Sequence, residues 1–393
     1  MFSLFKKGRA RFYNVAENAQ STLEGCVLTS SLEKNVQIIR DIFVDVDILR
    51  VKHIENAHFK SLCYCILFFD GVVDAEAING NIVKPLQLSQ VAAGGKGMID
   101  VIMNQIVQIS EASKTNQLQK IVEAVCYGET ILLVDGQDQA VLLNAKEFKI
   151  RSVSEPDNEK IMAGPRDGFT ESLMTNLSFI RRRALTPDLK MKFLSLGRRT
   201  KTKACICYME GIVNKQILEE LYHRLNTIDI DGVLDVNYIT ELIKDAPWSP
   251  FRSTGYTERP DVIMGKILEG RIAVFLDGTP MVMTVPYLFV ENFQSSEDYY
   301  LSFFYSSFSR LLRILSFFLT IIVPGLYISI GAFHHEMFPL QLFINIAAER
   351  QSVPLPAAVE AFGMLILFDI LKETGARMPS TIGQTLIGGH LCG

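Results

Sequence analysis

Two pairs of cysteines are the first residues whose spacing suggests chemistry. Cys63 and Cys65, and likewise Cys205 and Cys207, are separated by one residue within an apolar run. Closely spaced thiolates can bind zinc, but a structural zinc site needs four ligands and neither run has a histidine close by. Residues two apart in a β-strand point to the same face of the sheet. The pattern therefore favours buried core cysteines over a metal site.

Carboxylates near or within apolar segments are the second candidates for chemistry. Glu360 lies near the middle of an apolar segment, Asp369 near the end of that segment, and Glu336 just after an earlier apolar run. A carboxylate at the depth of a bilayer is costly unless it faces protein or water, so these three residues are candidates for an ion path. For Glu360 an alternative stays open: a neutral carboxyl group that hydrogen-bonds a neighbouring helix.

The stretch over 181–203 is the most basic part of the chain. It carries nine cations against Asp188 alone: Arg181, Arg182, Arg183, Lys190, Lys192, Arg198, Arg199, Lys201 and Lys203. Such a stretch is either a solvated connector or a docking surface for anionic lipid headgroups or an acidic neighbour. Both interpretations stay open at this point.

Composition limits the possible classes of function. The chain has 393 residues, 48% of them hydrophobic and 21% charged, which suits two or three folded domains and excludes a disordered chain. The six histidines show no ligand spacing, and neither a catalytic triad nor a Walker-type loop is evident. We therefore expect no enzyme activity, no cofactor and no metal. The net charge of −4 gives no general case for nucleic acid, which we exclude as a partner.

A charge-free apolar run over 314–333 is long enough to cross a bilayer. Arg310 and Arg313 come just before the run, which by the positive-inside rule puts its amino-terminal side in the cytoplasm. We predict a second span over 351–371 and the start of a third near 380. The amino terminus lacks the apolar stretch of a secretory signal, so the residues before the first span are expected to stay in the cytoplasm.

The first 300 residues or so contain a weak internal repeat with an offset of about 140 residues. Residues 65–73 align with residues 205–213, and residues 128–136 align with residues 270–278. Each copy has a strand, an acidic-glycine turn and a helix, followed later by a helix, a strand, an Asp-Gly turn and another strand. The order of elements indicates a duplicated folding unit.

The signals for turns and helix ends repeat as well. Gly128 and Gly270 each follow a helical apolar periodicity and are predicted to end a helix. The Asp-Gly pairs at 135–136 and 277–278 predict hairpins in which both central residues adopt positive φ. We therefore predict the fold class α/β, with two tandem, repeat-related α/β subdomains with mixed sheets, followed by a helical transmembrane region.

The predicted domain boundaries combine the repeat with the basic and apolar segments. They are an amino-terminal tail over 1–25, a first cytoplasmic α/β subdomain over 26–150, a basic connector over 151–203, a second cytoplasmic α/β subdomain over 204–296, and a membrane region over 297–393.

A series of short motifs follows the chain in a fixed order. They are GPRDGF at 164–169, the arginines at 181–183, TERPD at 257–261, EGR at 269–271, DGTP at 277–280, EDYY at 297–300, HEM at 335–337, VPLP at 353–356 with Glu360, and ETGARMP at 373–379. With these motifs the chain resembles the A-subunit family of bacterial spore germinant receptors. The resemblance is close from about residue 160 onward and loose before residue 150.

The resemblance implies a membrane subunit of a germination complex, with a cytoplasmic amino-terminal domain, in the inner membrane of the endospore. It implies a transporter-like B subunit and a lipoprotein C subunit as partners, a homo-oligomer, contact with membrane lipid, and a role in forming or gating the path by which ions leave the spore. The candidate coupling or interface residues are then Arg166, Arg181, Arg182, Arg183, Glu258, Arg259 and Asp261.

Several alternatives accompany this interpretation. A paralogue associated with the dipicolinate channel has the same layout, and the two repeats could instead form a bilobed sensor that binds a small molecule in the cleft between them. The TERPD motif could simply begin a helix, with Thr257 as the cap and Pro260 in the first turn.

Two departures from the family pattern concern the membrane half. The first is that residues 362–368 are uncharged. The second is that family members continue beyond the position of Gly393, so we expect this chain to be truncated.

Overall fold

The computed structural model describes residues 25–59, 62–90, 97–147, 164–245, 248–249, 251–334, 337, 339–350 and 355–377. The chain divides into a first unit, Met1–Asn292, and a second unit, Phe293–Gly393. Residues 1–24 of the predicted tail and the third span expected near 380 lie outside the described residues.

The first unit contains two five-stranded sheets with the same strand order. The strands of the first sheet are β1 Leu49–Glu55, β2 Cys63–Phe69, β3 Ala112–Thr115, β4 Thr130–Val134 and β5 Ala140–Leu143, in the order β1-β2-β4-β5-β3. Those of the second are β6 Leu189–Leu196, β7 Thr202–Met209, β8 Gly255–Thr257, β9 Ile272–Leu276 and β10 Val282–Val285, in the order β6-β7-β9-β10-β8. The identical order confirms the predicted repeat.

The prediction of mixed sheets is wrong, because the paired strands of both sheets are antiparallel. The reason lies in the long connection from β2 to β4 and in its counterpart from β7 to β9. Each connection returns the chain to the end of the sheet at which the earlier strand finished, so the next strand runs the opposite way.

Four helices share one hydrophobic core with both sheets. Helices α1 Leu32–Ile42 and α2 Leu118–Cys126 cover one face of the first sheet, and α3 Leu173–Arg183 and α5 Pro260–Leu268 cover one face of the second. We call the first sheet with α1 and α2 the first repeat, and the second sheet with α3 and α5 the second repeat. The buried residues of all four helices belong to one cluster, so the two repeats pack as one body.

The outer faces of the two sheets have separate, smaller cores. In the first repeat the helices Ala75–Ala77, Lys84–Leu88 and Met98–Val101, with π-helical turns over Ile78–Val83 and Ile102–Ile106, cover the face opposite α1 and α2. In the second repeat α4 Lys215–Thr227 and the helix Val236–Leu242 do so. Successive strand residues alternate between two covered faces, which explains why the central strands are apolar throughout.

Three of the four paired cysteines confirm the prediction of buried core cysteines, whereas Cys63 is only partly buried. Cys65, Cys205 and Cys207 are fully buried in β2 and β7 and belong to the core shared by the repeats. Burial raises the pKa of the Cys65 thiol to about 12, and burial also holds the pKa of Cys205 well above its ordinary value. Such thiols are neutral at pH 7 and pack as small apolar side chains.

The two Asp-Gly hairpins form as predicted, but their turn geometry differs. Gly136 (φ 76°) and Gly278 (φ 90°) have positive φ, whereas Asp135 and Asp277 do not. Each aspartate instead accepts a hydrogen bond from the first residue of a helix: Asp135 Oδ1 from Leu32 N at 3.4 Å and Asp277 Oδ1 from Leu173 N at 3.0 Å. The aspartates therefore cap helices that begin about a hundred residues earlier in the chain.

The prediction of a basic connector over 151–203 is wrong where the structure describes it. Helix α3 and strand β6 lie in that range and open the second repeat, while residues 151–163 lie outside the described residues. Leu173, Leu177 and Ile180 are buried along one face of α3, and β6 pairs with β7 along its whole length. The basic residues obscured this apolar periodicity.

The second unit contains the helices α6 Phe303–Phe333, α7 Leu340–Arg350 and α8 Ala357–Arg377. Helix α6 begins earlier than the predicted span, and its segment Phe303–Ile330 is long and apolar enough to cross a membrane. Among the described residues it alone meets this criterion. The second span predicted over 351–371 corresponds to α8, and its crossing of the membrane stays a prediction.

The glycines at two equivalent helix ends confirm the predicted stops, and one of them provides a test. Gly128 (φ 92°) and Gly270 (φ 88°) follow the ends of α2 and α5. A Cβ atom on Gly270 would lie 2.9 Å from the carbonyl oxygen of Ile212. Gly278 has nearly the same φ but open space around it. Alanine substitutions at Gly270 and Gly278 therefore separate the free-energy cost of positive φ from that of the steric clash.

We predict that Gly270→Ala lowers the free energy of unfolding by about 2–4 kcal/mol, because strain at positive φ adds to a backbone clash. Gly278→Ala is expected to cost only about 1–2 kcal/mol, from the conformation alone. Urea unfolding of the compact first unit measures both values. Equal losses for the two variants would contradict the close contact with Ile212.

Candidate functional site

Arg181 links the two repeats. It lies in the last turn of α3, and its side chain is fully buried. Its Nη1 donates to the Thr186 carbonyl oxygen at 2.8 Å, and its Nη2 donates to the Leu189 carbonyl oxygen at 2.9 Å. The guanidinium also lies 4.7 Å from the ring centroid of Phe69 at the end of β2. A charged group of the second repeat therefore packs on an aromatic ring of the first.

Within the part of the chain that the structure describes, carbonyl oxygens and an aromatic face, and no carboxylate, surround the charge of Arg181. Burial lowers the pKa of its guanidinium, but arginine starts from so high a value that it stays charged. Its Nε makes no hydrogen bond to any described residue. Taking such a charge out of water is expensive, so its few partners matter for stability.

The burial of Arg181 results from the contact between the repeats. Helices α1 and α3 both have eleven residues, and Arg40 occupies the position in α1 that Arg181 occupies in α3. Arg40 is exposed, whereas Arg181 is buried under the first repeat. The same residue type at equivalent positions therefore has two different environments, and the difference is the repeat interface.

Backbone hydrogen bonds join the repeats beside Arg181. Met191 in β6 donates from its N to the Asp45 carbonyl oxygen and accepts at its own carbonyl oxygen from Asp47 N, each at 2.9 Å. Lys192 pairs with Asp45 at 3.0 Å, and Phe193 N donates to Asp47 Oδ2 at 2.7 Å. The edge strand of the second repeat is thus bonded to the loop between α1 and β1.

A second buried arginine joins two of the motifs. Arg259 of TERPD is 1% exposed, and its Nη2 donates to Asp261 Oδ2 at 2.7 Å and to the carbonyl oxygen of Pro165, in GPRDGF, at 3.1 Å. The buried ion pair with Asp261 is expensive to break and fixes the Arg259 guanidinium at the start of α5. The hydrogen bond to Pro165 then joins the GPRDGF segment to it.

The TERPD segment also departs from the simple helix cap. The cap residue of α5 is Arg259 rather than Thr257, while Pro260 occupies the first turn as predicted. Arg259 N donates to Thr257 Oγ1 at 3.2 Å, and in the first repeat Gln117 N donates to Thr115 Oγ1 at 3.2 Å. Both repeats therefore keep the threonine turn, and only the second carries a buried arginine there.

The remaining interface candidates fall into two groups. Glu258 accepts a hydrogen bond at its carbonyl oxygen from Phe169 N at 2.8 Å, and Arg183 pairs with Asp167. The structure therefore brings Arg183, Glu258, Arg259 and Asp261 together around the GPRDGF segment. Arg166 and Arg182 are exposed.

Four of the nine cations in the basic stretch form ion pairs with described acidic residues from other parts of the chain. Arg198 pairs with Asp229, Arg199 approaches Asp231 at 3.6 Å, and Lys192 and Arg183 pair as described above. These partners are distant in sequence, so inspection of the stretch alone missed them. These ion pairs reduce the net positive charge of the basic stretch and so make it less suitable as a docking surface for anionic lipid.

Asp298 is a candidate that the sequence reasoning missed. Its side chain is 1% exposed, and it pairs with Arg310 at 2.9 Å and with Arg313 at 2.8 Å in the first turns of α6. Burial disfavours the charged carboxylate, but hydrogen bonds from Arg313, Arg310 and Ser295 N outweigh burial and lower the pKa of Asp298 to about 2. The EDYY motif, followed by two arginines, was the available signal.

The predicted ion-path residues are less constrained. Glu360 is half-buried in the first turn of α8, and Asp369 is exposed farther along the same helix. Glu336 lies outside the described residues. The described contacts therefore assign no shared site to these three carboxylates.

The comparisons with known proteins identify the family. Residues 32–393 match the family model described as Bacillus/Clostridium GerA spore germination protein. The chain belongs to the GerA family. Spore germination protein KA of Bacillus subtilis (strain 168) is 35% identical over 370 residues, which cover 93% of this chain and 68% of that protein. Spore germination protein GerLA of Bacillus cereus is 30% identical over 368 residues, covering 93% and 74%.

A solved GerA-family structure supports the fold of the first unit. The crystal structure of the N-terminal domain of the A subunit of the Bacillus megaterium spore germinant receptor GerK3 matches with a TM-score of 0.54 and 30% identity. The match covers 67% of this chain and 98% of that one. It confirms the resemblance drawn from the motifs.

Arg181→Lys is predicted to lower the free energy of unfolding of the first unit by about 2–4 kcal/mol. A lysine cannot reproduce the two forked hydrogen bonds or the flat contact with Phe69. The matched control is Arg40→Lys, at the equivalent but exposed position, which is expected to change stability by less than about 0.5 kcal/mol. Urea unfolding of both variants tests this, and similar losses would contradict a special role for the repeat interface.

Proposed function

We propose that this chain is a membrane subunit of a spore germination receptor complex that couples nutrient sensing to ion release. In this proposal it oligomerises and forms or gates an ion path, with a transporter-like B subunit and a lipoprotein C subunit as partners. It resides in the inner membrane of the spore with its amino-terminal unit in the cytoplasm, and it acts without catalysis. Membership of the GerA family is the basis of the proposal.

The core shared by the two repeats is the structural observation that supports the coupling role. A bilobed sensor closes on its ligand about a hinge, which requires lobes that can move apart. Here the lobes share buried side chains, backbone hydrogen bonds and the Arg181 contact with Phe69. A displacement at one repeat is therefore passed to the other, as a coupling module requires.

The space between the repeats also argues against a nutrient cleft. A cavity of about 240 Å³ lies there, lined by Val72, Cys126, Tyr127 and Leu185 together with Arg181 and Arg182. Typical small-molecule sites are about 300–1,000 Å³ and contain several convergent polar groups. This cavity is smaller, and Arg181 already uses its terminal nitrogens on carbonyl oxygens. The sensor alternative therefore receives no support from this site.

The connection toward the membrane helix is anchored on both sides. In the first unit, Glu291 pairs with Lys266 of α5 and, at 3.2 Å, with Arg271. In the second unit, Asp298 pairs with Arg310 and Arg313 of α6. Only a few residues of chain separate Glu291 from Asp298, which favours transmission of movement over its loss in a long flexible linker.

Deleting the gene is predicted to abolish or delay potassium release from dormant spores after nutrient addition, because the proposed ion path is then missing. Pressure provides a second stimulus. The measurement is made in spores that lack related GerA-family genes and carry this one, so that redundancy cannot mask the effect. Unchanged release after deletion would contradict the proposal.

Two substitutions at Glu360 then separate its two interpretations. If a charged Glu360 lies in the ion path, Glu360→Gln and Glu360→Ala are both expected to slow release by roughly tenfold or more. If Glu360 is a neutral hydrogen-bonding group, glutamine retains function and alanine does not. Normal release by the glutamine variant, at wild-type protein levels on immunoblots, would rule out the ion-path role.

A further inference from the structure

Two neighbouring segments of the first unit expose large apolar side chains, and together they form what we call the aromatic patch. Its members are Trp248, Phe251, Leu288, Phe289 and Val290. Trp248, the only tryptophan in the chain, is 98% exposed, and Phe251 is 65% exposed. An exposed cluster of this kind on a soluble surface marks a binding site for a protein, a ligand or a membrane.

The segment Phe289–Phe293 has the opposite polarity to an ordinary surface turn. Its acidic residue, Glu291, is turned inward, with a side chain only 9% exposed and ion pairs to Lys266 and Arg271. Its neighbours Phe289 and Val290 are half exposed instead. Charged groups normally face water and apolar groups face the core, so this inversion favours an apolar environment outside the turn.

The two segments of the patch are packed against each other. The rings of Phe251 and Phe289 meet edge to face with centroids 5.6 Å apart. Next to them, the Arg252 guanidinium lies 5.2 Å from the ring centroid of Tyr256. The ring contact joins the two segments, and Trp248 lies three residues before Phe251 in the chain. Aromatic and aliphatic groups with a cation beside them are the composition typical of protein that contacts the headgroup region of a bilayer.

We propose that the aromatic patch inserts into the headgroup–acyl boundary of the bilayer that α6 enters. This inference rests on the proposed function only in so far as α6 crosses a membrane. About a dozen residues separate the end of the patch from the start of α6. A chain of that length spans at most about 45 Å when fully extended. In this proposal Trp248, Phe251 and Phe289 supply the interfacial contact.

The single tryptophan permits a direct test without any substitution. The full chain is reconstituted into vesicles of phosphatidylethanolamine and phosphatidylglycerol, with part of the lipid replaced by a brominated phosphatidylcholine. We expect the brominated lipid to lower Trp248 fluorescence roughly twofold and the emission to shift to the blue, because the indole lies at the acyl boundary. Aqueous iodide is expected to quench it weakly.

The matched control moves the reporter away from the patch. In Trp248→Phe with Val27→Trp, the tryptophan replaces a valine that is 58% exposed in the first unit. This reporter is expected to be quenched by iodide and not by brominated lipid. Strong iodide quenching of Trp248 would overturn the proposal, and a blue shift without quenching by brominated lipid would assign the patch to a protein interface. Neither result depends on potassium release, so the proposed function is tested separately.

Discussion

The arrangement of the first unit depends on a buried guanidinium that pairs with no carboxylate among the described residues. Arg181 finds its partners in two carbonyl oxygens of its own repeat and in the ring of Phe69 from the other repeat. A charge in this environment remains tolerable only while these groups surround it closely. The two repeats must therefore stay packed, and the exposed position of Arg40 shows that the duplicated sequence does not by itself impose this burial.

Much of the fold was predictable because its signals are local. The offset of about 140 residues, the apolar strands and the glycines that end α2 and α5 all follow from short patterns. Strand direction was not predictable, because it depends on where the long connection between β2 and β4 returns to the sheet. Helix α3 was not predictable from charge, because three consecutive arginines end a helix whose opposite end buries Leu173 and Leu177.

The candidate sites were predicted as motifs but not as contacts. Arg259 is a predicted interface residue, yet nothing in its own segment indicates that it meets the carbonyl oxygen of Pro165. The acidic partners of the basic stretch were equally invisible, because Asp45 and Asp229 are far away in sequence. The burial of Asp298 was not predictable for a related reason. It depends on Arg310 and Arg313 of α6, which the sequence indicates only as the cytoplasmic flank of a membrane span.

Native-state hydrogen exchange of the first unit tests most directly whether the two repeats act as one body. The slowest amides of β2 report on the first repeat, and those of β7 report on the second. The account predicts that both groups open with the same free energy and respond equally to urea, as a single cooperative unit does. Two separate opening free energies, with one repeat exchanging while the other stays protected, would contradict it.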